Sequence, residues 1–315
     1  MREVSDMCYS AEVWEDYRLF VREFGAVLSI KDFFRLVFDR QKGPQRPIIP
    51  KGMELAFLNP ATPEEQEIHD LIEAFHQDEA KRLEAELFKQ KTRLTNAERT
   101  LESKETKKAL NDQRIATDKI SNLRRKLSDL KRTEPKDRDN RIFPGSYAPV
   151  MISEGGQRVI KPMRYQCRPA GKPAFYDRKY PGTYNARRDN LEGFWKSQFG
   201  HTHGLMVVTT FYENVEGEDG KNQVLQFTPR DRQPMYVACL WSYWHKEGED
   251  ELLSFAAITD EPPAEIAAAG HDRCIINIKP EHVDAWLNPD PANLKSLYEI
   301  FDDHAEPYYE HQLAA

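Results

Sequence analysis

No run of about 18 apolar residues, the length a membrane-crossing helix requires, occurs anywhere in the 315 residues. The opening Met1-Arg2-Glu3-Val4-Ser5-Asp6 lacks the apolar core of a secretory signal, so a cytoplasmic protein with no membrane partner is expected. Cysteine is scarce. Cys8, Cys167, Cys239 and Cys274 are scattered, with no Cys-x-x-Cys pair. That pattern argues against a disulfide framework and a structural zinc site, and no metal or cofactor is expected. Cys167, Cys239 and Cys274 read as small buried hydrophobes. His201 and His203 alternate as two ligands on a strand could, but no third ligand lies near them in sequence, and they read as strand-edge histidines.

Positive charge is in deficit, with 45 Lys and Arg against 52 Asp and Glu. A net charge of -7 weighs against a phosphate-binding protein unless the cations are clustered. They are: residues 79–141 carry 19 basic against 12 acidic side chains, leaving the remainder at -14. Proline and glycine are missing altogether from Glu64 to Arg132, where Lys, Glu, Arg, Leu, Ala and Gln dominate, and a helical insertion is expected over 64–132. Leu87, Leu94 and Leu101 recur every seven residues, with Leu83 and Ala97 in the alternate seam; Ile120, Leu123, Leu127 and Leu130 form a second seam. The polar stretch Glu105–Asp112 between them favours an antiparallel coiled-coil hairpin over one continuous helix. Such a segment serves as a solvated spacer, a contact for a protein partner or a second copy, or a surface for DNA.

Ahead of the insertion, Val13, Tyr17, Phe20, Val21 and Phe24 have helical spacing with Gly25 as terminator, Ile30–Phe38 is a second helix, and the proline-rich Gly43–Pro63 is loop or extended chain. Beyond the 135–139 linker, strands are expected at Ala148–Ile152, Gly204–Tyr212, Met235–Trp244, Leu252–Thr259 and Cys274–Ile278, and helices at Asn190–Phe199, Ala264–Gly270 and Pro280–Leu287. The fold class is therefore α+β, with a curved or barrel-like mixed sheet, flanking helices and the inserted hairpin. The expected divisions are 7–63, 64–132, 142–289 and an acidic segment, 290–315.

Four short motifs stand in order: Met7-Cys8-Tyr9-Ser10, Tyr184-Asn185-Ala186-Arg187, Phe211-Tyr212-Glu213 and His271-Asp272-Arg273. Singly each has an ordinary explanation: Asn185 suits a turn, Glu213 a solvated strand end, His271 a helix cap. As an ordered set, with Tyr147-Ala148-Pro149-Val150 and Ala238-Cys239-Leu240-Trp241 in the intervals, they make the chain resemble the SRAP (SOS-response-associated peptidase) family over residues 7–40 and 142–289. The resemblance implies a DNA-damage protein whose mature amino-terminal cysteine condenses with the ring-opened sugar of an abasic site in single-stranded DNA, giving a thiazolidine. Only a terminal cysteine offers an amine, of pKa about 8, and a thiol on adjacent carbons.

Carried over by motif, Cys8 forms the crosslink, Asn185 holds the terminal group, Glu213 manages protons during sugar opening and imine formation, His271 is the general acid or base, and Arg187 and Arg273 clasp flanking phosphates. Departures from the pattern are informative. Six residues precede Met7, which implies initiation at Met7, removal of a leader by self-cleavage or other processing, or loss of ring closure. Ser10 stands where many relatives carry arginine, Ile275 replaces a proline, and Phe175, Tyr176, Tyr180 and Tyr184 are the candidates for a stacking surface. Two other functions compete: a Cys-His peptidase or amidohydrolase using Cys8 and His271, and a non-enzymatic module that binds DNA or a partner through the basic insertion.

Overall fold

A computed structural model describes residues 10–42, 47–217 and 220–314. The chain divides into two compact units, one formed by 1–36, 45–56 and 136–315, the other by 37–44 and 57–135. In the first, β1 (Ser10–Val13) leads to α1 (Tyr17–Phe24), β2 (Val27–Leu28), the start of α2 (Ile30–Lys42) and, after it, α3 (Lys51–Leu55). The Asp16 carboxylate accepts from the Arg18 amide to start α1, and Gly25, at φ +60°, ends it as its spacing predicts.

The second unit is dominated by α4 (Pro63–Ser103) and α5 (Lys107–Leu130). Threonine caps begin both: Thr62 accepts from the Glu65 amide and Thr106 from the Ala109 amide. The chain reverses within Lys104–Thr106, at the start of the polar stretch expected to separate the seams, so the insertion is two helices and not one. Contacts of Arg93 with Asp112 at 2.5 Å and of Lys131 with Glu84 at 3.4 Å run between the helices and fix them antiparallel. Leu83, Gln90 and Ala97, seven apart, are the buried line of this part of α4; Leu87, Leu94 and Leu101 are half-buried beside it. They meet Ala109, Ala116 and Ile120 of α5, small or branched residues that let the two backbones approach.

The first unit resumes with β3 (Arg141–Ile142), β4 (Tyr147–Glu154), β5 (Gln157–Tyr165), α6 (Tyr176–Lys179), β6 (Asn185–Arg187), β7 (His203–Glu216), β8 (Asn222–Pro229), β9 (Met235–Trp244) and β10 (Leu252–Asp260). It ends with α7 (Ala264–Ala268), β11 (Cys274–Ile275), α8 (Val283–Leu287), α9 (Leu294–Asp302) and β12 (Tyr309–Leu313). The twelve strands among the described residues belong to one mixed sheet. β10 pairs with β5, β5 with β4, β4 with β7, β7 with β9, and β9 again with β10, so the sheet curls back on itself. The β4–β7 leg is the single pair Met151↔Leu205 and the β5–β10 leg two pairs, which leaves a curled sheet and not a regular barrel. β7 is long enough to serve two neighbourhoods: its first half pairs with β9, its second with β1 and β8. The concave side holds a core that includes Val150, Met163, Val208, Phe211, Phe227, Val237 and Phe255. Among the described residues no helix is long and apolar enough to cross a membrane.

Several expectations need correcting. Val13, assigned to a helix, closes β1, because it pairs with Val208 of β7 just past a shift of register after Glu12. Within the expected loop, residues 51–55 form α3, launched by Pro50 at φ -60° and ψ 148°. Asn190–Phe199 is not a helix: a 3-10 turn over Arg188–Asn190 passes into successive turns. Asn190 is the cause, since its side-chain oxygen takes the Phe194 amide at 3.1 Å. A Cβ on Gly193 would lie 2.3 Å from that oxygen, so the glycine permits the turn. Of the expected strand Cys274–Ile278, only the first two residues are strand; an isolated bridge from Asn277 to Val237 ties down the rest. The 290–315 segment contains α9 and β12, and β12 pairs residue for residue with β8 from Tyr309↔Pro229 to Leu313↔Leu225.

Candidate functional site

Alternation along β7 turns Phe211, Glu213 and Val215 toward the enclosed face, and Phe211 and Val215 join the core there. Glu213 shares that face with 0% exposure, which removes the reading of a solvated strand end. A carboxylate so buried is costly unless paired. His271, following α7 and Gly270, meets it: Nε2 lies 3.1 Å from Glu213 Oε2, and the imidazole side chain is 2% exposed. On its other side the ring's Nδ1 stands 2.9 Å from the Arg273 carbonyl and 3.3 Å from the Arg273 amide. With Nδ1 donating to the carbonyl, the Nε2–Oε2 contact needs one proton to be attractive; with Nδ1 accepting from the amide, Nε2 carries that proton. Either tautomer sets an imidazole nitrogen against a carboxylate oxygen in an enclosed setting, the two kinds of group that exchange protons near neutral pH.

Asn185, in β6 beside Ala257 of β10, is buried, and its carboxamide oxygen accepts from the Tyr165 hydroxyl at 3.3 Å. Tyr165 belongs to the same core as Phe211 and Val215, so Asn185 and Glu213 face one interior. The two arginines differ. Arg187 is half exposed and paired with Asp189 at 2.9 Å. Arg273 is only 13% exposed, with Nε 3.8 Å from Asp272, and its main chain brackets the His271 ring. A pocket of about 410 Å³, lined in part by Asn214, Val215, Asn222, Gly270 and His271, opens beside the imidazole. Cys8 lies outside the described residues. Ser10 is the first of them, paired with Tyr212, the residue before Glu213.

Sequence reasoning missed what surrounds Ser10. Its hydroxyl accepts from Arg141 Nε and Nη2 at 3.1 and 3.0 Å, and the same guanidinium lies 3.5 Å from the centre of the Tyr212 ring. Tyr212 in turn donates to Glu12. Arg141 belongs to no motif; its neighbours are made by the β1–β3 pairing, in which Glu12 stands opposite it. The loop before β6 is pinned by Asp177, bound by Arg164 at 2.9 Å and Arg168 at 2.5 Å. Burial alone would raise this carboxyl, but hydrogen bonds from Arg168 and Arg164 outweigh it and hold the pKa below the usual range. On that loop Phe175, Tyr176 and Tyr180 form a row of rings with centroids 5.4 and 4.7 Å apart, continued by Phe194 at 6.4 Å; Phe175, Tyr180 and Phe194 are exposed. Tyr184 is instead buried against Tyr165.

Other reactive side chains have structural settings. His203 is no strand-edge residue: Nε2 accepts from the Gly200 amide at 2.9 Å and Nδ1 faces the Trp286 carbonyl at 3.0 Å, so both ring nitrogens are occupied. Burial pushes its pKa down to about 3. Cys167, Cys239 and Cys274 are buried, and burial raises each thiol, Cys167 to about 12, which leaves them unreactive. Among the described residues, no group of three His, Cys, Asp or Glu side chains converges to hold a metal ion.

The family model described as SOS response associated peptidase (SRAP) matches residues 101–313. The chain belongs to the SRAP family. Family membership associates this SRAP protein with the response to DNA damage and with DNA binding. The match extends past the expected 142–289, through α9 and into β12, and takes in α5. No curated protein matches. Similar solved structures include a protein from Bordetella bronchiseptica at 16% identity and TM-score 0.46, covering 56% of this chain and 87% of that one. A protein from Bacteroides thetaiotaomicron has the same identity, TM-score and share of this chain, with 78% of its own covered. A phage-related protein from Bordetella bronchiseptica has 20% identity and TM-score 0.42, with 56% and 81% covered.

Proposed function

We propose that this SRAP protein captures abasic sites in single-stranded DNA covalently, through a thiazolidine on Cys8 once that residue is the mature amino terminus. The observation that carries the reading is the buried Glu213–His271 contact, 3.1 Å from Nε2 to Oε2, with a pocket beside the imidazole. Ring closure is a sequence of proton movements. The α-amine adds to the C1′ aldehyde, the carbinolamine loses water to give an imine, and the thiol adds to the imine carbon while its proton passes to nitrogen. The net change is loss of one water. Every step needs a group that both gives and takes a proton near neutral pH, which a carboxylate–imidazole pair does.

Position supports the same reading. Ser10, the first described residue, is paired with Tyr212, one residue away from Glu213. In this scheme Asn185 holds the terminal group, Glu213 manages protons during sugar opening and imine formation, and His271 acts as general acid and base. Arg187 and Arg273 contact flanking phosphates, Arg187 being the more exposed. The Phe175, Tyr176, Tyr180 row is a surface on which unpaired bases stack. We assign the chemistry to 7–63 with 142–289, with 64–132 as an insertion and 290–315 completing the body.

The test is direct. Protein beginning at Cys8, mixed with a single strand bearing one abasic site, gives a heat-stable shifted band; Cys8→Ala and amino-terminally acetylated protein give none. Equal trapping by a chain that keeps its first seven residues overturns ring closure, and multiple-turnover cleavage of a peptide by that chain would instead identify a Cys-His hydrolase.

A further inference from the structure

Charge in the helical hairpin is segregated along its length. Residues 57–88 carry nine Asp or Glu against two Lys or Arg, whereas residues 89–126 carry twelve Lys or Arg against five Asp or Glu. Packing uses only one side of α5, the line of Ala109, Ala116 and Ile120. At about 100° per residue, Lys107, Arg114 and Arg125 fall within about 20° of one another on the side opposite that line, and Lys108, Lys119 and Lys126 form a second row within about 20° next to it. All six are exposed.

The acids of α5 are already engaged: Asp112 with Arg93 at 2.5 Å, Asp118 with Arg114 at 3.5 Å, and Asp129 with Arg132 at 3.2 Å. Among the described residues Lys107, Lys108, Lys119, Arg125 and Lys126 have no ion pair. The two rows span about 28 Å of helix; between them Asn111 and Asn122 add uncharged donors, and the acids there, Asp118 and Asp129, are the ones already paired with Arg114 and Arg132. A surface with parallel rows of cations, five of the six without an ion pair among the described residues, and no apolar groove is complementary to a regularly spaced polyanion.

We propose that the outer face of α5 is a nucleic-acid-binding surface in its own right, taking the phosphate backbone without regard to base sequence. It is separate from the Glu213–His271 site and does not depend on covalent capture. Its signature is electrostatic: each phosphate contact contributes about 0.7 to the slope of log affinity against log salt on a single strand and about 0.9 on a duplex.

The experiment measures fluorescence anisotropy of undamaged 40-nucleotide single-stranded and 40-base-pair DNA with the full chain, between 50 and 200 mM KCl. Because neither DNA carries an aldehyde, failure of the capture reading leaves this result untouched. Neutralising one row, K108Q/K119Q/K126Q, lowers the slope by about 2 on the single strand or about 3 on the duplex, whichever the surface binds, and K107Q/R114Q/R125Q acts likewise. Affinity at 100 mM salt falls about tenfold or more, while helicity at 222 nm is unchanged. A control making the same change in net charge on the sheet unit, K246Q/K279Q/K295Q, leaves the slope as it was. The proposal is overturned if the row variants bind both DNAs with wild-type slope, if the control loses as much, or if only binding to polyglutamate weakens, the behaviour of an acidic-protein contact.

Discussion

The sheet unit and the helical hairpin handle polar side chains in opposite ways. The sheet unit encloses many and engages those at its candidate site, Glu213 against His271 and Asn185 against Tyr165, and elsewhere His203 between two main-chain groups. Glu15, Thr183, Gln198, Ser242 and Thr259 keep buried oxygens without a hydrogen-bond partner among the described residues. The hairpin encloses almost none and arrays its charge outward; its one buried amide among the α4–α5 seam residues, Gln90, donates to Glu86 at 2.7 Å but leaves its carbonyl oxygen without a partner among the described residues. Enclosed polar groups cost free energy unless they are used, so the first pattern suits chemistry and the second suits association through many weak, exchangeable contacts.

The sharpest way to break this contrast is at Glu213. Glu213→Gln removes the carboxylate's charge and its capacity to exchange a proton while keeping an oxygen against the imidazole, and is expected to slow capture of abasic DNA by about 10²–10⁴-fold, measured as single-turnover crosslinking. A rate within twofold of wild type would make the pair a structural contact only. Next in size is His203. His203→Ala strands the Gly200 amide and the Trp286 carbonyl and is expected to cost about 2–4 kcal/mol in urea unfolding.

His203 also makes stability depend on pH. The unfolded histidine takes up a proton below about pH 6.5, whereas the folded one resists it down to about pH 3. Its contribution is complete above that upper value and is lost as pH falls through the window, by at most about 1.4 kcal/mol per unit. The urea midpoint of His203→Ala should therefore shift less than that of wild type between pH 7.5 and 5. The smallest effect belongs to the hairpin: Gln90→Leu removes the stranded carbonyl and is expected to raise stability of that unit by about 1 kcal/mol, read as a higher melting temperature for the 222 nm signal. A loss instead would mean that Gln90 has a partner on α5.

How much of this could be read from sequence depends on whether the signal was local. The hairpin was legible because seven-residue spacing and the absence of proline and glycine act within a few turns. Even there, spacing named Leu87, Leu94 and Leu101 with Leu83 and Ala97 in the alternate seam but passed over Gln90, the buried residue between Leu83 and Ala97. Strands with continuous apolar runs, such as β9 and β10, were equally plain. β5 and β8 were not, since Gln157-Arg158 and Lys161-Pro162 in one and Asn222-Gln223 in the other interrupt the alternation, and pairing partners supply what the sequence does not signal. The motif residues identified Glu213 and His271 individually, but nothing local joins positions 58 apart, and nothing at all pointed to Arg141 beside Ser10. The false helix at 190–199 came from composition, which is blind to one asparagine side chain competing for an amide.

The pairing of β12 with β8 also sets a schedule for synthesis. β8 ends at Pro229 and its covering strand begins at Tyr309, so during translation about eighty more residues must be added before the outer edge of β8 can be sealed. Until then the nascent polypeptide offers an open ladder of main-chain donors and acceptors to any neighbour on the same ribosome-crowded message. Delay or interruption in that last stretch would therefore favour edge-to-edge joining of incomplete chains over their folding.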